Sequence, residues 1–418
     1  MRVIPGLYAK LPKDSLTWAR AAFVAALAAL PISTAMSNVC LGLGVLAWLV
    51  SGTVASTSRL VISNRAATMA LALFCLLTLS MAWSAGPLHD QFTALGKFRK
   101  LLLIPIVASL FDDVQWRVRA AWALGLAIGL TLLLSLGSGL TGYAFPVQAE
   151  FGFPNNAIVF KQHITQNWLM SLFAFSCLCF AVWVPVQQKH QRAWQAAFVT
   201  LGLLAFIDIF GFVIGRTGQI TALVLIGLWW ILFARWRGVM FGTVSLVLIM
   251  LVLLSTHSAF KQRFELAVTE FEISEQGTAE KGNSIGERMA FWTNTATLIE
   301  GSPFIGYGLG STQTVYRPLT QGQTGAKSIA AWNPHNEYLN LSVQAGIGAT
   351  LLFISLLVFL ARAAWQTEGV ARWLGCGLAL QMATSCLMNS SLWDFNEGHV
   401  FALLAGLLIA ASRRAELA

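Results

Sequence analysis

Charge is what this sequence lacks most. Of 418 residues, 11% are Asp, Glu, Lys or Arg and 56% are apolar, with a mean hydropathy of +0.67; a soluble domain carries about 25% charged residues. That balance excludes a water-soluble globule and makes the membrane-spanning helix, roughly 20 mostly apolar residues, the unit of organisation. The six cysteines (Cys40, Cys75, Cys177, Cys179, Cys376, Cys386) lie in or at the edge of apolar runs, and none falls in the polar stretch after residue 256. Neither a disulfide framework nor a thiolate metal site is indicated. A Walker loop and a GxGxxG fingerprint are both missing, which argues against a nucleotide donor and for one already activated in the membrane. No repeat of fixed period and no low-complexity tract occurs. The first apolar run, from Leu16, is not followed by a clear small-residue cleavage pattern, so it is expected to be a retained span.

What remains reads as an all-α polytopic membrane protein with about twelve transmembrane helices and one large loop containing short helices. Apolar runs predict spans near 16–33, 37–53, 66–84, 98–111, 118–137, 163–184, 195–214, 218–234, 238–256, 337–361, 371–390 and 399–412. The chain then divides into 1–256 with nine spans, the loop 257–336, and 337–418 with three spans, together one integral membrane domain. The net charge of +9 is spread in pairs between the apolar runs, which fits topology signals and membrane lipids and not a nucleic-acid partner. With the N-terminus inside, every inner segment carries a basic pair: Arg59 and Arg65, Arg117 and Arg119, Lys189 and Arg192, Arg235 and Arg237, Arg362 and Arg372, Arg413 and Arg414.

Arg2, Lys10, Lys13 and Arg20 also fall inside, at the N-terminus, and the other basic residues lie on the outer side, where orientation gives no reason for them: Lys97, Arg99, Lys100, Lys161, Arg216, Lys261, Arg263, Lys281, Arg288, Arg317 and Lys327. A cation at the membrane edge is costly without an anionic partner, so this set is where function is sought. Arg216 stands in the short turn Gly215-Arg216-Thr217-Gly218. Flanking glycines allow the backbone to approach a ligand, and a guanidinium grips phosphate bidentately; the plainer alternative is a snorkelling arginine. Lys97 and Lys100 share one face at the start of span four while Arg99 is on another, and each also reads as an interfacial anchor. Arg288 sits beside Glu287 on a helix predicted over Ser284–Ile299, with Ser284 as its cap and Met289, Trp292, Thr295, Ala296 and Ile299 on one side.

His335, in Asn333-Pro334-His335-Asn336-Glu337-Tyr338, lies where the outer loop re-enters the membrane. Pro334 can pre-set the first turn of span ten, so His335 would project from a helix N-terminus, where the dipole favours the neutral, proton-accepting imidazole. It is a candidate general base, against the alternative of a loop histidine satisfying turn carbonyls. His163, at the start of span six, binds a headgroup or caps the span. Asp394 orients His335 or binds sugar hydroxyls; Glu337 does the same or complements a helix dipole. No cluster of Asp, Glu and His on this side suits a divalent ion, so no metal and no cofactor are expected.

The ordered pieces Arg288-x3-Trp292, Glu300-Gly301-Ser302-Pro303-Phe304-Ile305-Gly306-Tyr307-Gly308-Leu309-Gly310, His335-Asn336-Glu337-Tyr338-Leu339 and Gly346, with Gly-Arg-Thr-Gly at 215–218, resemble the signature region of the O-antigen ligase and polymerase superfamily. The resemblance implies an inverting GT-C type glycosyltransferase of the bacterial inner membrane, with cytoplasmic termini and a periplasmic active site. It implies a glycan donor on undecaprenyl diphosphate and, in the ligase branch, a sugar hydroxyl of lipid A-core oligosaccharide as acceptor. His335 would then be the base, Asn336 and Glu337 its motif neighbours, and Arg216 and Arg288 the diphosphate clamp; Lys97, Arg99, Lys100 and Arg263 can extend that clamp but match no motif. The polymerase and the protein O-oligosaccharyltransferase share these motifs; the latter usually has an extra C-terminal region, whereas four residues follow Arg414 here. A lipid-linked glycan transporter would place charges along several spans, and only Asp208 is deeply placed.

Overall fold

The computed structural model describes residues 14–147, 156–184, 190–255, 259–275 and 280–415. The basic residues Arg2, Lys10, Lys13 and Lys189 lie outside them. Every regular element among the described residues is helical.

The chain opens with α1 (Asp14–Ala29), α2 (Thr34–Val50), α3 (Val54–Ser63) and α4 (Arg65–Ser80). Ser33 and Asn64 cap α2 and α4, their side-chain oxygens accepting the amides of Met36 and Ala67, which satisfies donors a helix start otherwise leaves open. The amphipathic α5 (Leu88–Phe98) leads through a 3-10 turn, Arg99–Leu102, into α6 (Leu103–Leu110). Then come α7 (Val114–Thr141), α8 (His163–Trp183), α9 (Gln191–Ile207) with a π-turn at Asp208–Phe212, α10 (Arg216–Ala234) and α11 (Trp236–Ser255). The polar loop holds α12 (Ala259–Glu275), α13 (Ser284–Gly301) and α14 (Thr312–Thr320), and the chain finishes with α15 (Glu337–Trp365), α16 (Gly369–Met388) and α17 (Phe395–Ala415).

Among the described residues, eight helices are long and apolar enough to cross a membrane, or nine if α2 and α3, bent by 97°, count as one span. That is fewer than the twelve expected. The segments 16–33, 37–53, 98–111 and 371–390 all fold as helices but miss the length or the hydropathy. The 16 residues of α1 and 17 of α2 are short, and the run 98–111 is divided by its 3-10 turn, leaving α6 with eight residues. In α16 the apolar run is diluted by side chains that serve the interior: Gln381 donates to the Trp168 carbonyl at 2.7 Å, and Ser385 accepts the Trp168 indole N–H at 3.1 Å. Such bonds hold helices together where lipid supplies no hydrophobic drive. In α8 and α17, 78% and 72% of the apolar window is buried, against 11% in α11; α8 and α17 are interior helices, and α11 lies at the rim.

The glycine-rich segment after α13 acts as a strap between α4 and α15. Helix α15 breaks at Ala345 and Gly346 (φ 76°), which frees backbone groups there. The strap takes them up: Tyr307 N–H donates to Val343 O at 2.9 Å, and Ile347 N–H donates to Pro303 O at 2.8 Å. On its other side the Ser84 hydroxyl donates to Leu309 O at 2.8 Å, and Ala85 N–H to Tyr307 O at 2.9 Å. A Cβ at Gly346 would sit 2.0 Å from the Phe304 carbonyl oxygen, so only glycine permits the crossing.

Candidate functional site

Helix α13 is the spine of the site. Asn283 caps it, its Oδ1 accepting Gly286 N–H at 2.8 Å; the expected cap, Ser284, is already the first helical residue. Its buried stripe is Phe291, Thr295 and Leu298 and not the expected one through Met289 and Trp292. The reason lies in α14: the Tyr316 hydroxyl reaches in to donate to Phe291 O at 2.9 Å and pairs with the Thr295 hydroxyl, a contact outside any local window. Arg288, Phe291 and Trp292 stand at i, i+3 and i+4, hence on neighbouring positions of one helix face.

Two of those residues hold the loop that carries His335. The Trp292 indole N–H donates to Pro334 O at 3.0 Å, and the Phe291 ring stacks on the imidazole with centroids 6.2 Å apart. His335 itself precedes the helix: its φ is 53°, Asn336 is the N-cap of α15, and Asn336 Oδ1 accepts Leu339 N–H at 3.1 Å. The expectation that His335 projects from the first turn is therefore corrected. Proline at 334 does not start the helix; the capping strength of asparagine decides its first residue. The left-handed backbone is held by His335 N–H donating to Asn333 Oδ1 at 2.8 Å, and by the Ser390 hydroxyl donating to the same oxygen at 2.6 Å.

The imidazole is oriented by an amide. Asn389 Nδ2 donates to Asp394 Oδ2 at 2.8 Å, so its other end, Oδ1, is the atom 3.1 Å from His335 Nδ1. An amide oxygen only accepts. Nδ1 must then carry the proton, so in the neutral imidazole Nε2 is the nitrogen left to accept one, the arrangement a base requires. Burial raises the pKa of the Asp394 carboxyl, while Lys100, His335 and the Asn389 bond pull it back.

Arg216 begins α10, and its Nη2 donates to Glu270 Oε2 of α12 at 2.9 Å, with the two side chains 20% and 11% exposed. Burial lowers the Arg288 pKa, the charge of Arg216 acts in the same direction, and Glu270 opposes. Two guanidiniums thus share the field of one carboxylate, leaving a surplus positive charge suited to a multivalent anion. The glycines beside Arg216 do not open the backbone to a ligand as expected. A Cβ at Gly218 would lie 2.4 Å from Cβ of Asn167, and one at Gly215 would lie 2.6 Å from Asn167 Nδ2; both serve the packing of this turn on α8. Among the described residues, no three His, Cys, Asp or Glu side chains converge as metal ligands.

Residues 212–354 match the O-antigen ligase family model. Over that segment the chain is similar to the O-antigen ligase family. No curated protein matches the sequence. The matched segment holds Arg216, Glu270, Arg288, the strap and His335, whereas Asn389 and Asp394 come from the chain beyond it. The matched segment alone therefore lacks the residues that orient its histidine.

The remaining expected residues are distributed as follows. Lys100 is buried, and its Nζ donates to the carbonyls of Trp393, at 3.3 Å, and Asp394; it braces that loop and is not open to a diphosphate. Lys97 lies 6.0 Å from the centre of the Trp393 ring. Arg99 points elsewhere, to Asn38 Oδ1 at 3.4 Å. Glu337 is fully buried, accepting Trp393 N–H at 2.8 Å and Asn340 Nδ2 at 3.2 Å, so it ties α15 to the Asp394 loop. Asn336 also donates to Leu387 O at 3.0 Å. His163 opens α8 with its carbonyl against Gly215. Arg263 falls in α12, and its side chain lies outside the described residues. Sequence reasoning missed Asn389 and Glu270; the polar run Asn389-Ser390-Ser391 directly after an apolar helix was the one available signal.

Proposed function

We propose that the chain transfers an O-antigen glycan from undecaprenyl diphosphate to a sugar hydroxyl of lipid A-core, at the periplasmic face of the inner membrane. The observation that carries this reading is the shared face of α13, on which Arg288 lies one turn from the two residues that hold His335. Four residues of helix advance about 6 Å, the scale of one sugar ring beside its phosphate.

In this reaction the acceptor oxygen attacks the anomeric carbon as the bond from that carbon to the diphosphate oxygen breaks, with inversion. His335 Nε2 takes the acceptor's proton, while Asn389 and Asp394 keep the proton on Nδ1 and steady the imidazolium that forms. The leaving diphosphate gains negative charge, which Arg216 and Arg288 stabilise without an acid to protonate it. Lys97 extends the cationic surroundings, and Lys100 acts through the loop it braces. Basic pairs at each inner segment support cytoplasmic termini and the twelve-crossing GT-C layout, with shorter helices completing the bundle. Purified protein mixed with undecaprenyl-diphosphate glycan and lipid A-core tests the proposal. A shift of the lipid A-core band supports a ligase; growth of the donor glycan alone assigns a polymerase instead.

A further inference from the structure

Helix α12 carries an unusual distribution of burial. Its large apolar residues are open, Leu266 at 42%, Val268 at 45% and Phe271 at 46%. Among its described side chains only Glu270 is buried, and that one is the carboxylate on Arg216. The helix is further held where Asn283 Nδ2 donates to Glu270 O at 3.2 Å, again at the same residue.

Arg216 is incompletely served by this partner. The contact is a single Nη2 to Oε2 bond, and the buried Nε has no hydrogen-bond partner. A planar guanidinium offers a fork of donors, and a phosphate can fill two of its directions at once. Glu270 brings one negative charge to two cations; a diphosphate brings more, with more oxygens to accept.

From these observations we infer that Glu270 is a stand-in anion: it pairs with Arg216 within the field of Arg288 and is displaced, with α12, when the donor diphosphate enters. The inference rests on the reading that these arginines bind the donor's diphosphate. Glu270 then sets a threshold for entry. A monoanionic headgroup exchanges one charge for one and gains little, whereas a pyrophosphoryl group replaces the carboxylate and also engages Arg288 and the open Nε. The cost of displacing the carboxylate is the same for every anion, so only a ligand with enough charge and acceptor oxygens to exceed it binds usefully.

Titration calorimetry of the purified full chain with inorganic pyrophosphate, comparing wild type, Glu270→Gln and Arg216→Ala, tests this. Removing the competing charge at constant size is expected to tighten pyrophosphate binding about tenfold. Arg216→Ala is expected to weaken binding. If Arg216→Ala weakens it while Glu270→Gln is unchanged or weaker, Glu270 merely positions the arginine, and the inference falls while the donor-site reading stands. If Arg216→Ala has no effect, both fall together. Should Glu270→Gln fail to fold, amide exchange on wild type decides: saturating pyrophosphate should speed exchange over residues 259–275, and unchanged or slower exchange there overturns the displacement.

Discussion

Nδ1 of His335 and Oδ1 of Asn389 lie 3.1 Å apart, and because the opposite end of that amide is spent on Asp394, the contact assigns the proton on the imidazole. A carboxylate touching the ring directly would do the same with more charge. The intervening amide carries the orientation while holding the Asp394 carboxyl off the ring.

Asn389→Ala removes the acceptor that selects the tautomer. Transfer is expected to slow roughly tenfold to a hundredfold, part of the ~10²–10⁴ a positioned base supplies, with KM for the donor unchanged. Steady-state kinetics on purified protein separate the two; a rise in donor KM at constant kcat would mean that Asn389 contacts the donor.

Arg216→Lys keeps the charge and loses the planar fork. The loss of one charged hydrogen bond, about 1.5–3 kcal/mol, predicts a drop in kcat/KM of about tenfold or more. Wild-type activity in this variant would remove the phosphate clamp from the account.

Gly346→Ala and Gly348→Ala form a matched pair two residues apart in α15. At Gly346 the backbone is left-handed and a Cβ meets the strap, whereas at Gly348 nothing lies within 4 Å. Gly346→Ala should cost at least about 1–3 kcal/mol and lower the melting temperature in detergent. Gly348→Ala should be neutral or stabilising by up to about 1 kcal/mol, and equal melting temperatures for the two variants would refute the role assigned to the strap.

Chelation offers a different check. The proposed chemistry assigns charge stabilisation to guanidiniums and proton transfer to imidazole, so transfer should survive EDTA. Loss of turnover that one divalent metal restores would replace that assignment.

Arg216, Arg288 and His335 were visible in the sequence because each is a costly group at a membrane edge with no topological task. Asn389 and Glu270 were not, since asparagine after a helix and glutamate in a polar loop are ordinary there; their meaning comes from partners 54 residues away in each case. The span count shows the same limit. Apolar runs revealed where helices form, but the 97° bend between α2 and α3 and the 3-10 turn ahead of α6 depend on packing that hydropathy does not register. Gly215 and Gly218 read as an opening for a ligand, yet their space is taken by Asn167.

Single-turnover transfer by His335→Ala, measured beside its affinity for the lipid-linked donor, addresses the division of labour between imidazole and guanidiniums most directly. The account predicts donor binding within about twofold of wild type and a transfer rate lower by ~10²–10⁴. Transfer at the wild-type rate, or loss of donor binding in step with loss of transfer, would contradict it.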